Sequence, residues 1–157
     1  MKWAALIAWV LTAGGGFVLL SIWLARGGMR QGAQGGSRIR PPLILSHFGL
    51  AATGLVLWII YVANDSDTLA WIAFVILAVV ALLGWTMFAI WWQRRQRGAT
   101  AATVGMSRTG AGGNPGSPGD DTPAEQRFTV PIVALHGVLA VTTVVLVFLT
   151  AIGVGGS

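Results

Sequence analysis

The sequence predicts an all-α membrane protein: a four-transmembrane, up-and-down helix bundle built from a parallel duplicated two-helix hairpin. The chain has 157 residues, of which 55% are hydrophobic and 10% are charged, and this is too apolar for a soluble globular domain. Four apolar runs reach the length of about 20 residues that a helix needs to cross the hydrocarbon layer. They lie at roughly residues 3–25, 43–63, 69–92 and 130–153.

The four spans divide the chain into three parts. Residues 1–97 hold the first hairpin and the third span. The first span follows Lys2 like a signal peptide, but its apolar run is longer than an ordinary signal core, so we expect a retained span. Residues 98–122 are rich in Gly, Ala, Thr, Ser and Pro and are predicted to form a flexible cytoplasmic loop. Residues 123–157 are predicted to form a surface turn and the fourth span.

The charges predict the orientation in the membrane. All the arginines fall in the first and third connections, whereas the second connection, residues 64–68, is short and acidic. Lys2 is the only cation on the opposite side. The positive-inside rule then places both termini outside and both long loops in the cytoplasm. Heavy use of Arg, Gly, Ala and Val favours a bacterial plasma (inner) membrane.

Two segments of the chain repeat. Residues 42–53 align without gaps with residues 131–142, and each copy carries a histidine five positions after its proline. The first and third spans also match. Their shared positions include Trp3 with Trp71, Gly16 with Gly84, Trp23 with Trp91 and Arg26 with Arg94. Since both halves have the same orientation, the repeat is parallel, with its axis along the membrane normal.

The two histidines, His47 and His136, are the candidate metal ligands. Each lies roughly 7.5 Å along its helix from the proline, so the two rings are expected at the same depth. Spans two and four are diagonal in an up-and-down bundle, and neighbouring axes at 8–10 Å give a diagonal of roughly 11–14 Å. That spacing leaves room for two imidazoles and one iron, and neutral imidazole is suited to metal ligation.

Small residues accompany each histidine on its helix face, one and two turns further along. Such residues can clear a slot for a porphyrin, and they are equally what membrane helices use to pack closely. The positions are Ala51 and Gly54 beyond His47, and Ala140 and Thr143 beyond His136. Arg40 and Arg94 stand at the predicted cytoplasmic rim, where haem propionates would emerge.

Four spans, inward histidines and cytoplasmic arginines resemble the four-helix membrane b-type cytochromes and the cytochrome b561-like bundles. The resemblance is architectural and rests on His47 and His136. It implies one b-type haem held by both histidines, with electrons relayed between quinone and a respiratory or redox membrane complex. Many such proteins carry two haem sites from four histidines, whereas this chain can supply one. A lone haem cannot carry electrons across a layer about 30 Å thick, so a quinone, a second subunit or a dimer partner is needed.

Two other functions remain open at this point. The first is a cofactor-free accessory or scaffold subunit, in which each histidine makes a polar contact between helices, for instance to Ser46, Thr53 or a backbone carbonyl. The second is a small transporter, although every carboxylate falls outside the spans, and ion-coupled transport usually needs an ionisable group in the membrane.

Several functional classes are disfavoured by the sequence. The chain has no cysteine, which excludes thiolate metal sites and covalently attached c-type haem. Two imidazoles alone leave a copper or zinc site incomplete. No phosphate-binding loop, nucleophile elbow or zincin motif is present, so we expect no independent catalytic activity. The basic pI is explained by topology rather than by nucleic-acid binding.

Overall fold

The computed structural model describes residues 1–33, 40–108 and 129–154. Within these residues the chain forms five helices. They are α1 (Lys2–Ala25), α2 (Gly28–Ala33), α3 (Pro41–Asn64), α4 (Asp67–Arg108) and α5 (Val130–Ala151). Four of them (α1, α3, the Asp67–Arg97 part of α4, and α5) are long and apolar enough to cross a membrane. For the described residues, the prediction of an all-helical chain with four long apolar helices that could span a membrane is confirmed.

The helix ends follow from local sequence. Two prolines occupy the first turn of α3 and one occupies that of α5, where a missing N–H costs nothing because it would have no partner within the helix. Asp65 takes the left-handed conformation, with φ 51°, and closes the tight turn between α3 and α4. Gly27, with φ 74°, ends the turn after α1 and lets the chain enter α2, a conformation that glycine adopts without steric cost.

The four long helices form a ring in which each packs on two neighbours. α3 packs most extensively on α4, and α1 on α5, while the α1–α3 and α4–α5 contacts are smaller. Within the described residues α3 and α5 make no close backbone contact, and neither do α1 and α4, so these are the two diagonals. Spans two and four therefore stand across the bundle from each other.

The two ends of the bundle differ in charge, and we name them accordingly. At the Lys2 end, the Lys2 ammonium pairs with the Asp65 carboxylate, and the indole N–H of Trp58 donates to the Lys2 carbonyl oxygen at 3.3 Å. The opposite end, where Arg26, Arg40 and the arginines of α4 lie, is the arginine end.

The packed core lies toward the Lys2 end. Aromatic rings fill its centre: the Trp9 and Trp58 ring centroids are 6.2 Å apart, and those of Trp58 and Tyr61 are 4.7 Å apart. The buried residues of this cluster are Ala5, Trp9, Trp58, Tyr61, Ala70, Ala73, Leu77 and Val147.

The structure differs from the predicted loops in two places. Residues 98–108 were predicted as the start of the flexible loop, but α4 continues through them to Arg108. The sequence there is rich in alanine, a strong helix former, and has no proline before residue 115. Part of the first loop is helical as well, as α2. The remaining predicted loop, residues 109–122, and the predicted surface turn at residues 123–128 lie outside the described residues.

Candidate ligand site around His47 and His136

Both histidines stand at the same position in their helices. Pro41 begins α3 and Val130 begins α5, so each histidine is the seventh residue of its helix. The two helices run in the same direction across the bundle diagonal.

Each imidazole is hydrogen-bonded to the backbone of a neighbouring helix. The Nδ1 of His136 lies 3.1 Å from the carbonyl oxygen of Thr12 on α1. The Nδ1 of His47 lies 3.0 Å from the carbonyl oxygen of Val80 on α4. A carbonyl oxygen can only accept, so Nδ1 carries the proton in both rings. In a neutral imidazole Nε2 then keeps its lone pair.

Each imidazole also packs against a glycine one turn further along the same neighbouring helix. A Cβ added at Gly16 would lie 3.1 Å from Cε1 of His136, and one added at Gly84 would lie 3.1 Å from Cε1 of His47. Ordinary van der Waals contacts of a Cβ fall between 3.4 and 4 Å. Because Gly16 and Gly84 have no side chain, each imidazole can pack directly against the backbone of the neighbouring helix.

The two arrangements match in register. The carbonyl that accepts from His136 lies four residues before Gly16, and the carbonyl that accepts from His47 lies four residues before Gly84. We call them the α1–α5 histidine contact (Thr12, Gly16 and His136) and the α3–α4 histidine contact (Val80, Gly84 and His47). Each lies in one of the two most extensive helix interfaces.

The second nitrogen of each ring is unused by the described residues. Neither Nε2 makes a hydrogen bond in the part of the chain that the structure describes. Among the same residues, Trp23 Nε1 is the buried side-chain nitrogen or oxygen that lacks a partner, so each histidine Nε2 keeps some accessible surface. Neither Nε2 is thus committed to a hydrogen bond within the described residues.

Packing is less complete at the level of the histidines. None of the described residues 10–22, 41–53, 81–90 and 130–142 is fully buried, although these four segments together form one layer of the bundle. In a close-packed bundle, the side chains that face its axis are buried at every turn. We call this less completely packed layer the open layer.

Bulky or tightly packed residues close the open layer on both sides. Toward the Lys2 end the first buried residues are Trp9, Gly54, Val80 and Thr143, and toward the arginine end they are Trp23 and Trp91. On α1 the two tryptophans lie seven residues before and after Gly16, about 10 Å along the helix in each direction. The histidines are thus near the middle of the layer.

The four small residues predicted beside the histidines fall into two groups. Ala51 and Ala140 lie within the open layer and are half-buried. Gly54 and Thr143 are buried at its boundary. A Cβ at Gly54 would meet the Trp9 ring at 2.9 Å, so that space is already filled by an indole.

Thr143 is likewise occupied by contacts within the protein. Its hydroxyl lies 2.9 Å from the hydroxyl of Thr12 and donates to the Leu139 carbonyl at 2.8 Å. Gly54 and Thr143 therefore form the boundary of the open layer, and Ala51 and Ala140 line it.

The other predicted ligand-binding residues are at the arginine end. Arg40 is exposed at the N-terminal end of α3, and Arg94 is half-buried on α4. Within the described residues no group of three or more His, Asp or Glu side chains is placed to hold a metal ion. The donor set available for a ligand is thus two imidazoles, which suits an axial pair for a planar metal complex and leaves a bare ion under-coordinated.

The sequence allowed a backbone carbonyl as the partner of each histidine but did not identify which one. Ser46 and Thr53 were named as possible side-chain partners, but Thr53 donates to the Gly49 carbonyl of its own helix. The accepting carbonyls belong to Thr12 and Val80. Their equivalence in the repeat of the first and third spans was the signal that could have identified them.

Comparisons with known proteins give no match. No protein family, no curated protein and no solved structure matches this chain. The function is therefore argued from the site alone.

Proposed function

We propose that this chain is a small membrane electron-transfer protein that holds one b-type haem in the open layer, between His47 and His136. The observation that carries the proposal is the coincidence of two features at one depth. Among the described residues neither Nε2 makes a hydrogen bond and both keep some accessible surface, and no residue of the surrounding layer is fully buried. A bundle whose histidines served only to join helices would have no need of the open layer.

The residues of the site would have different roles in holding the haem. His47 and His136 would hold the haem through Nε2, and the small side chains of Ala51 and Ala140 would leave space beside them. The carbonyls that hold each Nδ1–H fix the tautomer and the direction of each imidazole, as second-shell partners of ligating histidines commonly do. Arg40 and Arg94 would meet the carboxylates of the group at the arginine end.

The chemistry that haem would supply here is one-electron transfer, because ligation by both His47 and His136 disfavours oxygen chemistry. The protein sets the position and the electrostatic surroundings of the group. A membrane quinone and a larger redox complex are the partners that this function requires. The arginine end would face the cytoplasm of a bacterial cell, according to the positive-inside rule.

A duplicated hairpin accounts for the matching contacts. Positions related by the repeat are buried in both halves, as with Ala5 and Ala73, Trp23 and Trp91, or Trp58 and Val147. The two histidine contacts are related in the same way. We propose a parallel duplication, which gives a pseudo-twofold site suited to a planar ligand of similar symmetry.

The test is the absorption spectrum of the full chain, purified from haem-replete bacterial membranes and then reduced with dithionite. We expect a b-type α-band and one haem per chain by pyridine haemochrome. Replacement of either histidine by leucine should abolish the band, because two nitrogen ligands are required. Protein that carries no haem under these conditions rules out the proposal.

A matched substitution separates ligation from helix packing. His47→Asn and His136→Asn retain an N–H donor close to the position of Nδ1 but lose the ligating nitrogen. We expect them to keep the stability of the bundle and to lose the haem. The leucine variants should lose both.

A second function is favoured by one specific observation, the hydrogen bonds from both rings to backbone carbonyls of neighbouring helices. These bonds satisfy a helix-joining role in a cofactor-free accessory subunit. That function predicts a chain without haem whose asparagine variants still assemble with its partner complex, whereas the leucine variants do not.

A further inference from the structure

Positive charge is concentrated at the arginine end without neutralising carboxylates among the described residues. The exposed guanidinium groups there belong to Arg26, Arg30, Arg40, Arg95 and Arg97. In the described part of the chain the carboxylates are Asp65 and Asp67, and both lie at the Lys2 end. The ion pair formed between described residues, Lys2 with Asp65, is also at that end.

Several of these arginines lie at the depth of interfacial tryptophans. The helices α3 and α4 are antiparallel and His47 meets Gly84, so Arg40, seven residues before His47, is level with Trp91. The Arg95 guanidinium lies 5.7 Å from the centroid of the Trp91 ring. Tryptophan is enriched at the level of the lipid headgroups, which places both guanidinium groups at that level.

The helix α2 brings Arg26 and Arg30 close to the start of α3. The helix packs on both α1 and α3, because the turn at Gly27 redirects the chain after α1. Arg26, at the end of α1, and Arg30, on α2, therefore lie beside the start of α3. Arginines on adjacent helices thus lie at one level, and we call them the cationic belt (Arg26, Arg30, Arg40 and Arg95).

We propose that this arginine end binds the phosphate groups of anionic phospholipids. Guanidinium forms bidentate, charge-assisted hydrogen bonds with phosphate oxygens, and basic clusters next to membrane spans attract anionic lipid. The start of α3 adds little to anion binding, because Pro41 and Pro42 have no N–H and the Leu43 N–H is bonded to the Arg40 carbonyl at 3.0 Å. Side chains must therefore recognise the anion.

The depth of the belt favours lipid over a soluble polyanion. Trp92, next to Trp91, is 45% exposed and can contact acyl chains while the arginines reach the headgroups. A nucleic acid would need a cationic surface that projects away from the membrane. The variants that test this proposal leave unchanged Arg40 and Arg94, the two arginines that the haem proposal uses.

The test is native mass spectrometry of the full chain in detergent, with phosphatidylglycerol and phosphatidylcholine of identical acyl chains at equal concentration. We expect phosphatidylglycerol to be retained preferentially. The variant Arg26→Gln/Arg30→Gln/Arg95→Gln should lose about fivefold in phosphatidylglycerol affinity for each arginine, or about a hundredfold in all. The control Lys2→Gln removes one positive charge at the other end and should retain the lipid.

Four results overturn the proposal. The first is equal retention of the two lipids, and the second is an unchanged affinity in the triple variant. The third is displacement of phosphatidylglycerol by millimolar inorganic phosphate, which would assign the site to the free anion. The fourth is tighter binding of a short RNA than of phosphatidylglycerol. Circular dichroism checks the fold of the triple variant, and the single variant Arg95→Gln replaces it if it does not fold.

Discussion

Gly16 offers the sharpest test of the histidine geometry, because it lies in a run of three glycines that differ in one respect. A Cβ added at Gly14 meets nothing within 4 Å. One added at Gly15 lies 3.5 Å from Nδ1 of His136, an ordinary contact, and one added at Gly16 lies 3.1 Å from Cε1 of the same ring. Substitution by alanine therefore changes helix propensity equally at the three positions. The contact of the new Cβ with His136 becomes closer from Gly14 to Gly15 to Gly16.

The expected magnitudes follow from these distances. Alanine is favoured over glycine in a helix interior by about 1 kcal/mol, and nothing opposes that gain at Gly14 or Gly15. At Gly16 the ring must move by a few tenths of an ångström, and overpacking of this kind costs about 1–3 kcal/mol. The same movement disturbs the 3.1 Å hydrogen bond to the Thr12 carbonyl. We expect Gly16→Ala to be less stable than Gly14→Ala by about 1–3 kcal/mol.

The assay is reversible unfolding in mixed detergent micelles with increasing sodium dodecyl sulfate. The eight tryptophans and circular dichroism report the transition. Gly84→Ala tests the second histidine contact, with Gly49→Ala and Gly137→Ala as controls, since a Cβ at either control position meets nothing within 4 Å. If the chain holds haem, Gly16→Ala and Gly84→Ala should also lower its occupancy, while the controls leave it unchanged.

Equal stability of the Gly14, Gly15 and Gly16 variants would refute this reasoning. It would show that His136 does not occupy the space beside Gly16. A loss at Gly16 without a comparable loss at Gly84 would instead show that the two histidine contacts are not equivalent. The pseudo-twofold site would then have no support.

Two further predictions concern the boundary of the open layer at Thr143 and the orientation of the chain in the membrane. Thr143→Val keeps the volume but removes the hydroxyl contact with α1, and we expect a loss of about 1 kcal/mol in the same unfolding assay. Its neighbour Thr142 donates only to its own helix, so Thr142→Val should change stability by less than about 0.5 kcal/mol; equal losses would contradict the assigned contact. Because the chain has no cysteine, a cysteine at Ser66 should react with a membrane-impermeant maleimide in intact cells, and one at Gln96 only after lysis; the reverse pattern would invert the proposed orientation.

The spans were predictable because lipid imposes a simple length and composition rule. Runs near 20 apolar residues have few alternatives to a membrane helix, and the prolines marked the start of α3 and of α5. The end of α4 was not predictable in this way. Residues 98–108 are polar enough for a loop by composition, but helix propensity allows α4 to continue through them.

The positions of the two histidines in their helices were predictable from the sequence, but their contacts were not. Two equivalent histidines, seven residues into their helices, follow from the repeat of Pro42 and Pro131. The acceptors do not, because a backbone carbonyl leaves no mark in the sequence, and any residue at the position of Thr12 or Val80 supplies one. Gly16 and Gly84 are visible in the sequence, but a glycine in a membrane helix usually indicates close helix packing rather than contact with a histidine.

Helix joining and ligand binding both use the Nδ1 hydrogen bond of each imidazole, so these bonds alone do not distinguish the two roles. The packing favours ligand binding. At the Lys2 end, large side chains such as Trp9 and Trp58 fill the bundle, and their burial contributes stability. In the open layer, α3 and α5 carry Ala51, Ala140 and the histidine rings, and no residue is fully buried. Filling the layer with larger side chains would add buried apolar surface and so stability. A bundle that needed only to hold its helices together would gain by such filling, and this is the physical reason that supports the proposed ligand.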